Sequence, residues 1–321
     1  IGMHAFEKCL SLKQIEILSS LLTIGKGTFQ KCSSLIKIEI PSFVTSIDKF
    51  TFSRCKSLVS VTIPSSVTSI GLSAFFDCES LANISIPSSI QIIECFAFEN
   101  CESIPNIVIP SSVIYIGINA FEQCTSLLSA SIQSSLKSIE KYTFKECTSL
   151  QKVTITSSIK SIEESAFCNC SALSSISLPS SLTLICESAF YVCSSLSSIT
   201  IPSSVTFIGK YAFYGCSSLS SITIPSSVTS IEENTFRNCS SLTNITIPSS
   251  VTFIGRCAFY ECSSLSSIII PSSVSYIGEH AFDKCPSLLS VTIPSSIDLS
   301  DLGFSSQVQV NLIRTQKCIF I

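Results

Sequence analysis

Cysteine is the reactive side chain that recurs most regularly in this chain, and its spacing limits the chemistry it could do. Of the 18 cysteines, thirteen follow one another at intervals of 23 residues. They are Cys9, Cys32, Cys55, Cys78, Cys101, Cys124, Cys147, Cys170, Cys193, Cys216, Cys239, Cys262 and Cys285. A phenylalanine precedes each by three residues, so we expect both side chains to share an apolar interior, where free cysteine behaves as a small hydrophobe.

Redox, disulfide and metal chemistry are the alternatives to a structural role for these thiols. Equivalent cysteines in neighbouring units would lie about 5 Å apart, a distance that a disulfide tolerates. Metal sites need clustered ligands such as Cys-x-x-Cys, and Cys168-x-Cys170 is the closest approach to one. We predict structural thiols in the periodic set. A reactive thiol is expected among the other cysteines, which are Cys95, Cys168, Cys186, Cys257 and Cys318.

Histidines and paired acids supply no catalytic constellation. His4 and His280 are twelve units apart, and neither has a nucleophile to activate. Glu163-Glu164 and Glu232-Glu233 are expected at the start of short helical turns, where carboxylates meet free N–H groups favourably. The sequence therefore predicts neither an enzyme nor a bound cofactor or metal.

Composition narrows the range of partners. Charged residues make up 13% of the chain, the net charge is −3, and no basic stripe is present, which argues against nucleic acid. Hydrophobic residues reach 45%, yet no apolar run is long enough to cross a membrane. No signal peptide is visible. The chain begins at Ile1 inside a repeat, so we expect a truncated N-terminus.

The 23-residue unit predicts the elements that hold these side chains. Leu219-x-x-Ile222-x-Ile224 is typical of a short strand. Pro225 ends that strand and two serines turn the chain. Val228-x-x-Ile231 predicts a second extended piece, and Thr235-Phe236-x-x-Cys239 predicts one helical turn.

Such units are stable only when stacked. Ordering each residue costs on the order of 1–2 kcal/mol, and a single coil buries too few side chains to offset that cost, whereas stacked coils share a continuous core. We therefore predict an α/β solenoid of about thirteen 23-residue coils over residues 1–297. The pattern fails after Ile297, and residues 298–321, which alternate around Val308, Val310 and Leu312, are predicted to close the stack.

The unit Leu-x-x-Ile-x-Ile-Pro-Ser-Ser-Val-x-x-Ile-Gly-x-x-Ala-Phe-x-x-Cys resembles the BspA-type leucine-rich repeats of bacterial surface antigens and protist families. The resemblance covers residues 1–297. It implies an arc with a parallel sheet on its concave side and short helical turns opposite. It also implies adhesion or protein binding at the cell surface or after secretion. Serine stands where more familiar leucine-rich repeats carry asparagine, so an asparagine ladder is not expected.

Two outward surfaces are candidate binding sites for a protein or glycan macromolecule. The first is a group of aromatic residues outside the phenylalanine period, comprising Phe207, Tyr211, Tyr214, Phe253, Tyr260 and Tyr276. Outward aromatic residues are typical interface anchors. The second is a face of strand hydroxyls that includes Thr200, Thr223 and Thr246, whose simplest role is solubility. At the N-terminal end, Lys37 and Glu39 make that face charged.

Two tripeptides in one repeat phase, Asn83-Ile-Ser85 and Asn244-Ile-Thr246, are N-glycosylation acceptor sequences if the protein is exported. Asn169-Cys-Ser171 and Asn238-Cys-Ser240 are weaker candidates. The alternative to a surface binding protein is an intracellular or structural scaffold without a ligand, which thirteen retained thiols would fit. A third hypothesis, an ice or mineral template, requires a flat hydroxyl face. The sequence leaves the oligomeric state open.

Overall fold

The computed structural model describes residues 1–133, 135–156 and 159–313, and within them every regular element is a short strand. In chain order the strands are β1 (Lys37–Glu39), β2 (Ser46–Ile47), β3 (Ser60–Thr62), β4 (Ser69–Ile70), β5 (Ile92–Ile93), β6 (Asn106–Ile109), β7 (Tyr115–Ile116), β8 (Ser129–Ile132), β9 (Ser138–Ile139), β10 (Lys152–Ile155), β11 (Ser161–Ile162), β12 (Ser175–Ile176), β13 (Leu184–Ile185), β14 (Phe207–Ile208), β15 (Ser221–Thr223), β16 (Ser230–Ile231), β17 (Asn244–Thr246), β18 (Phe253–Ile254), β19 (Ser267–Ile269), β20 (Tyr276–Ile277), β21 (Ser290–Pro294) and β22 (Gln309–Ile313).

These strands form two rows, and every pairing is parallel. The first row contains the strands of the Leu-x-x-Ile-x-Ile segments, β1, β3, β6, β8, β10, β12, β15, β17, β19 and β21, and ends with the non-repeat strand β22. The second row contains the Val-x-x-Ile pieces, β2, β4, β5, β7, β9, β11, β13, β14, β16, β18 and β20. Paired residues before β22 differ by 23 in number, as in Ile222↔Ile245 and Ile231↔Ile254. The register therefore equals the sequence period, and the predicted parallel solenoid is confirmed. The predicted α/β class is wrong, because strands are the only regular elements of the described residues and the fold is a β-solenoid.

The prediction of a helical turn is wrong. The segment that contains Phe-x-x-Cys and forms the third side of each coil is built from β-turns. In residues 25–35 the N–H groups of Thr28, Gln30, Cys32 and Leu35 each donate to the carbonyl three residues earlier, at 3.0–3.3 Å, which makes a series of β-turns. Gly27 and Lys31 adopt positive φ, 61° and 64°. The same two positions are left-handed in the other coils, mostly without glycine.

The helix is excluded because alternate N–H groups bond to the next coil. Those of Gly27, Phe29 and Lys31 donate to carbonyls of residues 49, 51 and 53 at 2.8–2.9 Å. These groups cannot also bond four residues back within a helix. The predicted proximity of Phe and Cys survives, because a β-turn also brings residues three apart together.

A column of stacked phenylalanines forms the centre of the core. Twelve of them, from Phe29 to Phe282, are fully buried, and neighbouring ring centroids lie 5.2–5.7 Å apart. Phe6 in the first coil is only partly buried and Cys9 is exposed, so about twelve coils carry the complete core.

Serine hydroxyls connect the coils where the Pro-Ser-Ser turn leaves carbonyls unpaired. The second serine of that turn donates to the carbonyl of an apolar residue in the preceding coil, as Ser66 Oγ does to Val44 at 2.6 Å and Ser204 Oγ to Leu182 at 2.6 Å. This contact recurs along the stack. A serine ladder therefore stands in place of the asparagine ladder of other leucine-rich repeats.

At the C-terminal end, β22 pairs with β21 in parallel. Phe304 stacks on Phe282 at 5.3 Å, one residue before the position that the period assigns, and Leu302 is buried. Cys318 lies outside the described residues.

Candidate binding surfaces

The periodic thiols face the core and act as hydrogen-bond donors there. Each Sγ from Cys32 to Cys285 donates to the carbonyl of the phenylalanine 26 residues earlier, as Cys147 does to Phe121 at 3.1 Å. Burial raises the pKa of Cys32 to about 11 and that of Cys216 to about 12. No disulfide forms among the described cysteines. The prediction of structural thiols is confirmed for all of the periodic set except Cys9, which is exposed.

The cysteines outside the period divide by burial. Cys168 and Cys257 are buried, whereas Cys95 and Cys186 are half-buried. Burial, and to a smaller extent the neighbouring Glu163 carboxylate, raises the pKa of Cys186 to about 11. Cys95 Sγ lies 3.9 Å from the Tyr115 hydroxyl. Among the cysteines that the structure describes, accessible thiols are therefore few, and they lie next to turns and not in the core.

The histidines and acid pairs make local polar contacts. His4 Nδ1 lies 3.0 Å from a carboxylate oxygen of Glu7, and His280 Nδ1 lies 3.0 Å from one of Asp283. Within the described residues, no group of histidine, cysteine and acidic side chains could hold a metal ion.

The glutamate pairs do not start helices, because the segments that follow them are β-turns. Glu164 instead accepts hydrogen bonds from the Lys141 ammonium at 2.9 Å and the Tyr142 hydroxyl at 2.7 Å, which hold its pKa below the usual range. Glu163 and Glu232 each accept from the serine two residues earlier, at 2.6 and 2.7 Å. Glu164 therefore connects two neighbouring coils, whereas these serine contacts of Glu163 and Glu232 lie within one coil.

The outward position of the second strand row carries three apolar pairs in adjacent coils. Phe253 and Tyr276 stack at 5.2 Å between centroids, 36% and 52% exposed. In the other pairs, Leu184 faces Phe207 and Ile92 faces Tyr115 across the ladder. Serine occupies the same position in five other coils, at Ser46, Ser69, Ser138, Ser161 and Ser230. We call Ile92, Tyr115, Leu184, Phe207, Phe253 and Tyr276 the apolar pairs. Their shared phase in the period was the signal that could have added Ile92, Tyr115 and Leu184 to the candidates.

The remaining predicted aromatic residues lie on the turn side of the coils, so the six candidates occupy two surfaces. Tyr214 stacks on Tyr191 at 4.6 Å and meets Tyr211 at 6.1 Å with tilted rings. The Arg237 guanidinium carbon lies 5.8 Å from the Tyr214 ring centroid and 4.4 Å from that of Tyr260. We call Tyr191, Tyr214, Arg237 and Tyr260, which share one position of the repeat, the tyrosine–arginine column. Sequence reasoning missed Arg237, which has the same phase as Tyr214 and Tyr260.

The strand hydroxyls and the two stronger acceptor asparagines lie together on the first row. Thr200, Thr223 and Thr246 are exposed, and the last two are Cα partners on neighbouring strands. Asn83 and Asn244 are exposed on the same face. The face is not uniformly polar, because Val108 and Ile269 are 51% and 66% exposed on it.

Parallel coils of 23 residues with an inward Leu-x-x-Ile-x-Ile strand define a leucine-rich-repeat solenoid. The family model for the BspA type leucine rich repeat region matches residues 1–127, 91–219 and 183–311, and the chain belongs to this family. No curated protein gives a significant match to the chain.

Solved structures agree with this assignment. A leucine-rich repeat protein from Bacteroides ovatus is 31% identical, with a TM-score of 0.67 over 90% of this chain and 87% of the other. A leucine rich cell surface protein from Faecalibacterium prausnitzii is 29% identical, with a TM-score of 0.54 over 88% and 80%. The pneumococcal vaccine antigen PcpA is 21% identical, with a TM-score of 0.54 over 88% and 79%, and shares the fold. None of the described residues forms a helix suited to crossing a membrane.

Proposed function

We propose that this chain is a non-catalytic adhesion module, displayed at the cell surface or secreted, that binds a host or matrix macromolecule through the apolar pairs. The observation that carries the proposal is their exposure at a position where serine serves the fold equally well. Ordinary solvation gives no reason to place aromatic rings there, whereas contiguous exposed apolar residues mark interaction sites. The similarity to a protein described as a cell surface protein supports the location.

A protein partner fits the pairs better than a flat sugar ring. The inner faces of Phe253 and Tyr276 cover each other, so ring edges and outer faces remain for contact. A groove of about 310 Å³ beside them is lined by charged side chains, including Lys210, Glu232 and Arg256. An apolar anchor surrounded by charged groups is the usual anatomy of a protein interface.

The other predicted residues have supporting roles in this proposal. We place Thr200, Thr223 and Thr246 on a polar face of the first row, which the family resemblance makes the concave side. Asn83 and Asn244 would carry glycans if the protein is exported through a glycosylating pathway. Tyr211, Tyr214 and Tyr260 contribute a separate surface on the turn side.

The test compares Phe253→Ser/Tyr276→Ser with the wild type on a panel of purified extracellular-matrix proteins by surface plasmon resonance. Serine is already present at this position in other coils, so folding should persist. Losing two partly exposed apolar anchors should weaken binding about tenfold or more, because a fully buried side chain of this size contributes roughly 1.5–3 kcal/mol.

Val108→Thr/Ile269→Thr is the matched control, since it removes two exposed apolar residues from the first row. Loss of binding only in the second-row variant supports the proposal. Equal binding by all three proteins, or no binding to any panel member, would contradict it and favour the ligand-free scaffold.

A further inference from the structure

Apolar side chains occupy one outward position in five successive coils of the N-terminal half. Ile36, Val59 and Leu128 are 47%, 38% and 44% exposed, Pro105 is exposed and Ala82 is half-buried. Each residue comes directly before the first-row strand or bridge of its coil. We call Ile36, Val59, Ala82, Pro105 and Leu128 the apolar stripe.

Folding does not explain the apolar stripe, because the same position is polar in the next six coils. Hydroxyls there donate to the carbonyl of the equivalent residue in the preceding coil, as Ser174 does to Gln151 at 3.4 Å and Thr243 to Ser220 at 3.2 Å. An apolar side chain forgoes this hydrogen bond and exposes hydrocarbon to water. Contiguous exposed apolar residues mark interaction sites.

The backbone of the apolar stripe is already paired within the stack. The Val59 N–H donates to the Ile36 carbonyl at 2.8 Å, and the Leu128 N–H donates to the Pro105 carbonyl at 2.7 Å. Pro105 has no N–H. A partner therefore contacts the side chains, which recur about every 4.8 Å along the stack.

This spacing distinguishes between possible partners. The turns of a helix follow one another at about 5.4 Å, and side chains on one face of an extended strand at about 6.8 Å. Over the four steps from Ile36 to Leu128, the helix falls out of step by about 2.4 Å and the strand by about 8 Å. A second copy of this chain has the same period and stays in step over the whole stripe.

The sizes of the side chains are nearly the same when the apolar stripe is read in either direction. Ile36 and Leu128 are the large residues at its ends, Val59 and Pro105 are intermediate, and Ala82 in the middle is the smallest. In an antiparallel pair of copies with a two-fold axis beside Ala82, each Ile36 meets Leu128 of the other copy. Such self-complementarity is what a two-fold interface requires.

Charges next to the apolar stripe fit the same arrangement. The turn that leads into the stripe carries exposed Lys56 in the coil of Val59 and exposed Glu102 in the coil of Pro105. Antiparallel pairing places each Lys56 opposite Glu102 of the other copy. Glu102 forms no ion pair among the described residues, whereas Glu79, which lies at the axis, accepts a hydrogen bond from the Lys56 ammonium at 2.5 Å.

We propose that the apolar stripe is the interface of a homodimer in which two solenoids lie antiparallel about a two-fold axis beside Ala82. The interface does not include the second strand row, so the dimer presents the apolar pairs of both copies. Two sets of binding residues on one particle increase avidity for a matrix with repeated sites. The dimer does not depend on what the apolar pairs bind.

Sedimentation velocity at protein concentrations from about 1 to about 500 μM tests the dimer. The wild type should form a reversible dimer with a dissociation constant in the micromolar range, as a small interface allows. Ile36→Ser/Leu128→Ser removes two apolar side chains from each copy and should raise that constant at least about tenfold, which corresponds to about 1.4 kcal/mol. Leu289→Ser is the matched control, because Leu289 has the same position in the repeat and is 59% exposed but lies outside the stripe. It should change the constant by less than about twofold.

Two further measurements test the orientation of the copies. Glu102→Lys places like charges opposite each other and should raise the dissociation constant about fivefold or more, whereas Glu187→Lys, the same change in a distant coil, should not. In a Cys9→Ser background, a short bis-maleimide should cross-link Ala82→Cys between copies. It should not cross-link Leu128→Cys, because the two equivalent thiols would lie about 19 Å apart along the stack.

A protein that stays monomeric over the whole concentration range would overturn the proposal and favour another occupant, such as an amphipathic helix. Equal weakening by Leu289→Ser and Ile36→Ser/Leu128→Ser would also overturn it, as would equal cross-linking of Ala82→Cys and Leu128→Cys. Phe253→Ser/Tyr276→Ser should dimerise like the wild type, which separates failure of this interface from failure of the apolar pairs.

Discussion

Alkylation of the native protein should divide its cysteines by burial. We expect iodoacetamide at pH 8 to label Cys9 rapidly, Cys95 and Cys186 more slowly, and the buried periodic cysteines hardly at all. The reactive species is the thiolate. With a pKa of about 12 for Cys216, roughly one molecule in ten thousand is ionised at pH 8, against about one in four for an unperturbed thiol with a pKa of about 8.5.

Ionisation alone therefore slows labelling of Cys216 by roughly two thousandfold, and burial slows it further. Its side chain has no exposed surface, so reagent reaches it only after the coil opens, with a free energy that approaches the global stability in a core. Peptide mass spectrometry over time, with a urea-unfolded sample as the control, measures each cysteine separately. Labelling of Cys216 or Cys147 within tenfold of the Cys9 rate, with an unchanged circular dichroism spectrum, would refute the buried thiol ladder.

Three further perturbations test the stack. Phe144→Ala removes a fully buried ring between two stacked neighbours and should cost about 3–5 kcal/mol, measured by urea unfolding. Gly117→Ala should cost about 1–3 kcal/mol, because its Cβ would meet the Cys95 backbone nitrogen; an unchanged unfolding midpoint would contradict this close approach. Burial and the Glu122 carboxylate raise the pKa of Glu99 to about 7. The native state then binds more protons than the unfolded one between about pH 4.5 and 7, so stability falls as pH rises through that interval. Glu99→Gln should accordingly raise the melting temperature at pH 8 more than at pH 4.5, and equal shifts would contradict it.

Because the thiols are buried, the number of free cysteines does not by itself indicate the redox compartment of the protein. Retained cysteines would favour a reducing compartment if oxidant could reach them. In this structure each periodic thiol except Cys9 is enclosed and donates to a phenylalanine carbonyl. Such thiols can persist in an oxidising environment as well, so the cysteine content is compatible with both the cell-surface proposal and the intracellular alternative.

The strands could be predicted from the sequence because they depend on residue types at single positions. These are the inward apolar residues and the proline that ends each strand. Ile222 is buried between exposed Ser221 and Thr223, as the alternation requires. The turn side is different, since the conformation there is imposed by hydrogen bonds to the next coil. Left-handed residues such as Lys31 and Phe50 carry no glycine signal. A spacing of three residues between Phe and Cys fits both a helix and a β-turn, so it could not decide between them.

The candidate surfaces were only partly predictable for a related reason. Aromatic residue type drew attention to Phe207, Tyr214 and Tyr260, but surfaces in a solenoid are defined by phase. Phe207, Phe253 and Tyr276 share one phase, whereas Tyr214, Arg237 and Tyr260 share another. The cation between the two tyrosines is not aromatic, and it becomes a candidate only when equivalent positions are placed next to each other.

Equivalent positions in the repeats of one chain can be compared with one another. This comparison separates residues that the fold requires from residues that it tolerates. Phenylalanine is retained at the core position of every coil from Phe6 to Phe282, and its rings form one continuous stack. The outward position of the second row accepts serine in several coils, so its aromatic residues are not required for stacking. The same holds at the phase of Arg237, where Glu99, Lys145 and Cys168 also occur. Stability is therefore specified by positions that repeat, and recognition can be specified only by positions that do not. Any ligand of this chain should be sensitive to substitutions in the second class while global stability stays within the small range expected of surface changes, about 0.5 kcal/mol.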